Sequence, residues 1–164
     1  MKSLYIVRHA KSSWEDTEIP DVVRPLNPRG KKAAVTIGKH LAKLHVKPDL
    51  IISSPATRAY HTSISIARIL GYRLKSILVE AAIYYDGEQG VMNLIRHLDK
   101  DVDSVFIVGH EPTCSDLIDT LCSDRIMKFP TGSVYRIDLD IKKWSDIYSA
   151  NGKKIFFITP KELT

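Results

Sequence analysis

The strongest constraint in this chain is an alternation. Short apolar, β-branched runs are each followed by a segment of helical periodicity with its own start signal. Residues 4–7 form a continuous apolar run, as expected of a strand buried on both faces. Asn27 then offers an N-cap with Pro28 at the first helical position, and Ala33, Ala34, Ile37, Leu41 and Leu44 follow along one stripe. The run Leu50-Ile51-Ile52-Ser53 leads straight into Ser54-Pro55, which reads as a second cap backed by proline. That helix is expected to continue to about Leu70 and stop at Gly71. Residues 74–79 read as a third strand, 88–98 as a third helix and 105–108 as a fourth strand, and a helix starts at Pro112 and reaches about Cys122. Residues 134–139 and 155–158 read as two strands with no helix between them, a hairpin closing one sheet edge.

Strands alternating with helices of this length imply right-handed crossovers around a mostly parallel sheet. The expected fold class is α/β, a three-layer α/β/α sandwich. With 164 residues and no internal repeat or linker-like stretch, residues 1–164 read as a single domain. No apolar run approaches the ~20 residues of a membrane span. The apolar stretch after Met1 is shorter than the ~7–15 residues of a signal-peptide core. A cytoplasmic, membrane-free protein is therefore expected, with a monomer as the default.

The net charge of +5 favours anionic partners, but the doublets Lys31-Lys32, Lys142-Lys143 and Lys153-Lys154 are scattered. They read as solvated surface rather than a nucleic-acid interface. Cys114 and Cys122 fit neither a redox pair nor a zinc pattern and read as buried hydrophobes. His40 and His45 are five apart and share no helix face, and Asp116, Asp119 and Asp124 have no ligand-loop spacing, so no metal site is expected. His61 and His97 fall within expected helices. No Walker-type phosphate loop, nucleophile elbow or dinucleotide fingerprint occurs.

The chemistry gathers at one end of the expected sheet. Arg8-His9 follows the first strand, Gly109-His110 follows the fourth, and Arg58 lies in the first turn after the second. Ligands of open parallel sheets bind outside the carboxyl ends of the strands, so these side chains belong to one site. Two guanidinium forks make a clamp for a phosphate dianion. A neutral imidazole whose other nitrogen is held can attack phosphorus, and a second imidazole, if protonated, can stabilise charge on the transferred group.

Arg8-His9-Ala10, Ser53-Ser54-Pro55-Ala56-Thr57-Arg58-Ala59 and Val108-Gly109-His110 together resemble the signatures of the histidine phosphatase superfamily, with its phosphoglycerate-mutase-like fold. Lys11-Ser12-Ser13-Trp14, Arg24-Pro25-Leu26 and Arg29-Gly30 look most like its small branch, the SixA-type phosphohistidine phosphatases. The resemblance implies His9 as nucleophile and Arg8, Arg58 and His110 as the phosphate pocket, with Ser12 or Ser13 adding a hydroxyl. It also implies Glu80 as general acid, with Asp86 and Glu88 as competitors, and no metal or other cofactor. Tyr84-Tyr85 reads equally as part of the pocket rim or as packing against the sheet end. The implied substrate is a phosphohistidine on a protein. A small phosphomonoester is the alternative, and a phosphate-binding module without turnover is a third reading.

Overall fold

The computed structural model describes residues 1–164 and contains one six-stranded sheet in the order β3-β2-β4-β1-β5-β6. Strand β1 (Lys2–Arg8) pairs in parallel with β4 (Ser104–Gly109), β4 with β2 (Leu50–Ser53), and β2 with the short β3 (Leu78–Val79). On the other side of β1, β5 (Val134–Leu139) and β6 (Gly152–Ile158) add antiparallel strands.

The sandwich follows from strand alternation. Leu4 and Ile6 of β1, with Val105 and Ile107 of β4, face a cluster built on α4 (Gly87–Arg96) and α5 (Thr113–Cys122). Tyr5 and Val7, with Phe106 and Val108, face α1 (Pro28–Lys43) and α2 (Thr57–Leu70). Both central strands are apolar on both faces because each face is roofed by helices. Burying a side chain such as Phe106 contributes roughly 1.5–3 kcal/mol, and it stacks on Tyr5 with ring centroids 4.5 Å apart. No helix is long and apolar enough to cross a membrane.

Local signals place the elements, with four corrections. Asn27 caps α1 as expected, its side chain accepting from Gly30 N–H at 2.8 Å, and Gly71 ends α2 at φ 72°. Ser54 is not the cap of α2: the helix begins at Thr57, and Ser54 Oγ instead accepts from Ala56 N–H at 3.1 Å. The third strand shrinks to Leu78–Val79, because residues 74–76 form a 3-10 turn and both strand residues are exposed at the sheet edge. A short helix, α3 (Ala82–Tyr85), precedes α4. The two terminal strands are joined through a 3-10 segment, Trp144–Ser149, whose Trp144 is fully buried.

Other expectations shift with it. In the expected edge hairpin, β5 lies between β1 and β6, so the free edge on that side is β6 alone, where Lys153 and Lys154 stand exposed. Such edge lysines oppose pairing with another sheet. Cys114 is buried, but Cys122 is only half-buried. His45 lies beyond α1 with φ 58°, His97 caps the end of α4, and Asp124 lies beyond α5, accepting from Tyr135 Oη at 2.7 Å.

Candidate active site

Strands β1, β2 and β4 end at the same edge of the sheet, and their last residues are laced together there. His9 N–H donates to Gly109 O at 3.0 Å and Ser54 N–H to Val108 O at 3.0 Å. Helix α2 holds the next turn: Thr62 Oγ1 donates to Arg58 O at 2.7 Å and accepts from Ala10 N–H at 3.0 Å. Gly132, at φ 77°, donates its N–H to the carbonyls of Arg8 and His9 at 3.1 and 3.0 Å. The backbone that carries His9 is thereby fixed from three sides before any ligand is considered.

These ties frame a cavity of about 500 Å³. Arg8, His9, Arg58, His110 and Ser12 all line it, so the structure brings together five of the seven side chains expected at the site. Ser13 does not line it; its Oγ accepts from Glu15 N–H on the outer side of the loop. Glu80 does not line it either. It follows β3, two strands beyond β4 in the sheet, where its N–H donates to Ser53 O at 2.9 Å. Of its competitors, Asp86 is exposed and Glu88 accepts from the Thr120 hydroxyl.

The carboxylate that lines the cavity is Glu111, which the sequence reading passed over. Its position directly after His110 at the end of β4 was the available signal. Arg24 and Trp14 also line the wall, the guanidinium lying 3.3 Å from the centre of the indole ring. Lys128, Pro130 and Thr131 complete it from the segment before β5. Because β5 runs antiparallel to β1, the amino end of β5 meets the carboxyl end of β1. A rule that looks only at strand carboxyl ends overlooks such residues.

His9 Nδ1 lies 2.7 Å from Ala10 O, and a carbonyl only accepts, so Nδ1 carries the proton. Nε2 makes no hydrogen bond within the protein and keeps its lone pair. Burial first, then the charges of His110, Arg58 and Arg8, push the His9 pKa down to about 3, against the opposing bond to Ala10. His110 is likewise pushed down to about 4 by burial and by Arg58 and Arg8, with Asp21 opposing. The second imidazole, to which the sequence reading assigns a charge-stabilising role if protonated, is therefore neutral in the free pocket, first because it is buried and then because Arg58 and Arg8 stand beside it.

Hydrogen bonds hold the clamp in place. Arg8 Nη1 donates to Phe129 O at 2.9 Å, and His110 Nε2 lies 2.7 Å from Ser54 Oγ. Asp21 binds both Arg58 and Arg24 and accepts from Tyr84 Oη at 2.6 Å. Tyr84 thus braces the wall from behind, its ring edge-on to His110, while Tyr85 is exposed. Four buried side-chain nitrogen or oxygen atoms lack a partner: Arg8 Nε, Arg24 Nε, His110 Nδ1 and Ser133 Oγ. Three of the four belong to side chains of this one cavity, which is the pattern of a site organised around an acceptor-rich ligand.

Residues 4–82 match the model of the histidine phosphatase superfamily, branch 1. A protein of Mycobacterium tuberculosis with no assigned activity is 31% identical over 170 residues, covering 94% of this chain and 100% of its own length. The chain belongs to the histidine phosphatase superfamily. A crystal structure from Agrobacterium tumefaciens that carries the name of the phosphohistidine phosphatase SixA is 27% identical, with a TM-score of 0.83 over 97% of this chain and 98% of that one. Phosphoserine phosphatase 1 of Hydrogenobacter thermophilus is 39% identical over 69 residues, 41% of this chain and 32% of that protein. The α/β/α sandwich is thus the phosphoglycerate-mutase-like fold of this superfamily, and family and neighbours together support phosphatase activity.

Proposed function

We propose that the chain removes phosphate from phosphohistidine on a protein, through a phosphohistidine formed on His9. The observation that carries the chemistry is the tautomer of His9: Nδ1–H is held by Ala10 O, which leaves Nε2 bare in a cavity lined by Arg8, Arg24, Arg58 and His110. In the first step Nε2 bonds to phosphorus as the bond to the leaving nitrogen breaks. The substrate imidazole departs with a proton taken from solvent. The guanidinium groups and His110 stabilise the charge spread over the equatorial oxygens. In the second step water attacks phosphorus, the His9 N–P bond breaks, and inorganic phosphate is released.

The protein substrate is supported by the likeness to the SixA structure and by the shape of the site. A pocket open at one sheet end suits a phosphate presented on a larger surface. A second reading, a phosphatase of small phosphomonoesters, draws on Glu111 in the cavity wall and on the partial match to a phosphoserine phosphatase. An alkyl ester needs an acid for its leaving oxygen, whereas an imidazole leaves readily once protonated.

The deciding experiment measures phosphate release from a phosphohistidine-bearing protein and from an alkyl phosphate in parallel, with His9→Ala as the blank. Faster turnover of the phosphohistidine protein, with an acid-labile phosphoenzyme trapped in the wild type and absent in the variant, is expected. Release from the alkyl ester alone would overturn the substrate assignment. Turnover that survives His9→Ala would overturn the nucleophile.

A further inference from the structure

A second cavity, of about 620 Å³, opens beside the first. The two share Lys11, Lys128, Pro130 and Thr131, so they form one continuous depression. Helix α1 forms its floor. Arg29, Lys32, Ala33 and Thr36 lie at i, i+3, i+4 and i+7 and therefore share one helix face. That face runs about 10 Å along the helix axis, and Lys161 stands on the opposite wall.

The charged side chains of this trough are all of one sign. Lys11, Arg29, Lys32, Lys128 and Lys161 line it, and no Asp or Glu side chain does. None of the five makes a salt bridge or a side-chain hydrogen bond, although all are exposed. The cations that are paired, Lys2 with Asp103, Arg24 and Arg58 with Asp21, and Arg136 with Asp138, all lie outside the trough. Unpaired like charges along one groove raise the local potential and attract anions.

A phosphoryl group already has its place in the first cavity, so the trough serves what lies next to it. We propose that it docks an acidic stretch of the protein substrate flanking the phosphorylated residue. This rests on the reading of the chain as a phosphatase of phosphoproteins. Its length matches about three residues of extended chain at ~3.3 Å each. Its lining contains no aromatic ring, and its apolar side chains are only Ala33, Pro130 and Pro160, so it offers no aromatic face on which a nucleobase could stack. Acidic side chains need only the cations.

The test uses the full chain and the triple variant Arg29→Ala, Lys32→Ala, Lys161→Ala, none of which lines the first cavity. Two phosphohistidine peptides are compared, one with glutamates beside the phosphoresidue and one with glutamines. Loss of three exposed cations is expected to lower kcat/KM for the acidic peptide about tenfold, and to leave the neutral peptide within about twofold. The wild-type preference should also shrink as salt is raised. Binding of an unphosphorylated glutamate-rich peptide, read by fluorescence anisotropy, should weaken in the triple variant in parallel.

An equal acidic-to-neutral ratio in wild type and variant would overturn the docking role. So would a trough-dependent KM for a small bisphosphate with no effect on the acidic peptides, which would assign the cations to a metabolite. If neither phosphopeptide is hydrolysed while an aryl phosphate is, the phosphoprotein reading falls. The anisotropy measurement then decides by itself whether the trough holds an acidic chain.

Discussion

Asp21 holds both terminal nitrogens of Arg58: Nη1 donates to its main-chain carbonyl at 2.8 Å and Nη2 to its carboxylate at 2.9 Å. The same carboxylate group binds Arg24 and accepts from Tyr84. Burial opposes the charge on Asp21, but the bonds from Tyr84 and Arg58 and the nearby guanidinium groups outweigh it and hold the carboxyl below its ordinary range. One acidic side chain thus fixes the orientation of two of the three arginines that face the cavity.

Replacing that carboxylate separates orientation from charge. Asp21→Asn keeps the main-chain acceptor for Arg58 but removes one negative charge beside the pocket. Loss of preorganisation is expected to lower kcat by about tenfold. The extra net positive charge should at the same time tighten inhibition by inorganic phosphate by a few-fold. Steady-state kinetics with phosphate as inhibitor measures both, and opposite movement of the two is the signature. Unchanged values would show that packing and the main-chain bond suffice to hold Arg58.

The two histidines give the protein a pH-dependent stability with a definite sign. Folding lowers the His9 pKa to about 3 and that of His110 to about 4, from the ordinary value of 6.5. Below about pH 6.5 the unfolded chain therefore binds protons that the native state does not. Their contribution is fully present above that value and is lost as pH falls through the native values. Carboxylates such as Asp21, held below their ordinary range, act below about pH 5, so the window from pH 7 to 5 isolates the imidazoles. The urea midpoint should drop from pH 7 to 5 in the wild type, and drop less in His9→Gln and in His110→Gln. Equal slopes in all three would contradict the buried, neutral imidazoles.

Much of this was legible in the chain because the signals are local. Apolar runs on both faces of β1 and β4, the Asn27-Pro28 start and the Gly71 stop are each set by a few adjacent residues. The shared edge for Arg8, His9, Arg58 and His110 follows from topology alone. What was not legible depends on contacts distant in sequence. Ser54 looks like a cap but is turned toward His110, and Glu80 follows the right strand, but that strand lies at the sheet edge. Arg24 enters the wall because the loop after His9 folds back, pairing Ser12 with Leu26 across an isolated bridge. Lys128 and Thr131 arrive only because β5 is antiparallel.

Gly30 ties that loop to α1. It is buried in the first turn, and a Cβ there would lie 2.0 Å from Lys11 O. The obstacle is backbone rather than a flexible side-chain tip, so the loop after His9 must move. Gly30→Ala is expected to cost roughly 1–3 kcal/mol by overpacking, despite the better helix propensity of alanine. That corresponds to a fall in Tm of several degrees for a domain of about 150 residues, with phosphate affinity reduced as well. Differential scanning calorimetry with and without phosphate reads both, and a variant as stable as wild type would show that the loop yields freely.

Glu111 separates an acid from a helix brace. Its Oε1 accepts from Ser115 N–H at 2.8 Å and its Oε2 from the Ser115 hydroxyl, so it steadies the first turn of α5 while lining the cavity. Glu111→Gln retains an acceptor for the Ser115 N–H but supplies no acidic proton. If the carboxyl protonates leaving oxygens, the variant should lose about 10²-fold or more in kcat/KM on an alkyl phosphate. Aryl phosphate and phosphohistidine, whose leaving groups depend less on that proton, should change by less than about threefold. Glu80→Gln, outside the cavity, should leave all three substrates unchanged. An equal loss on every substrate, accompanied by a lower Tm, would assign Glu111 to bracing α5 and nothing more.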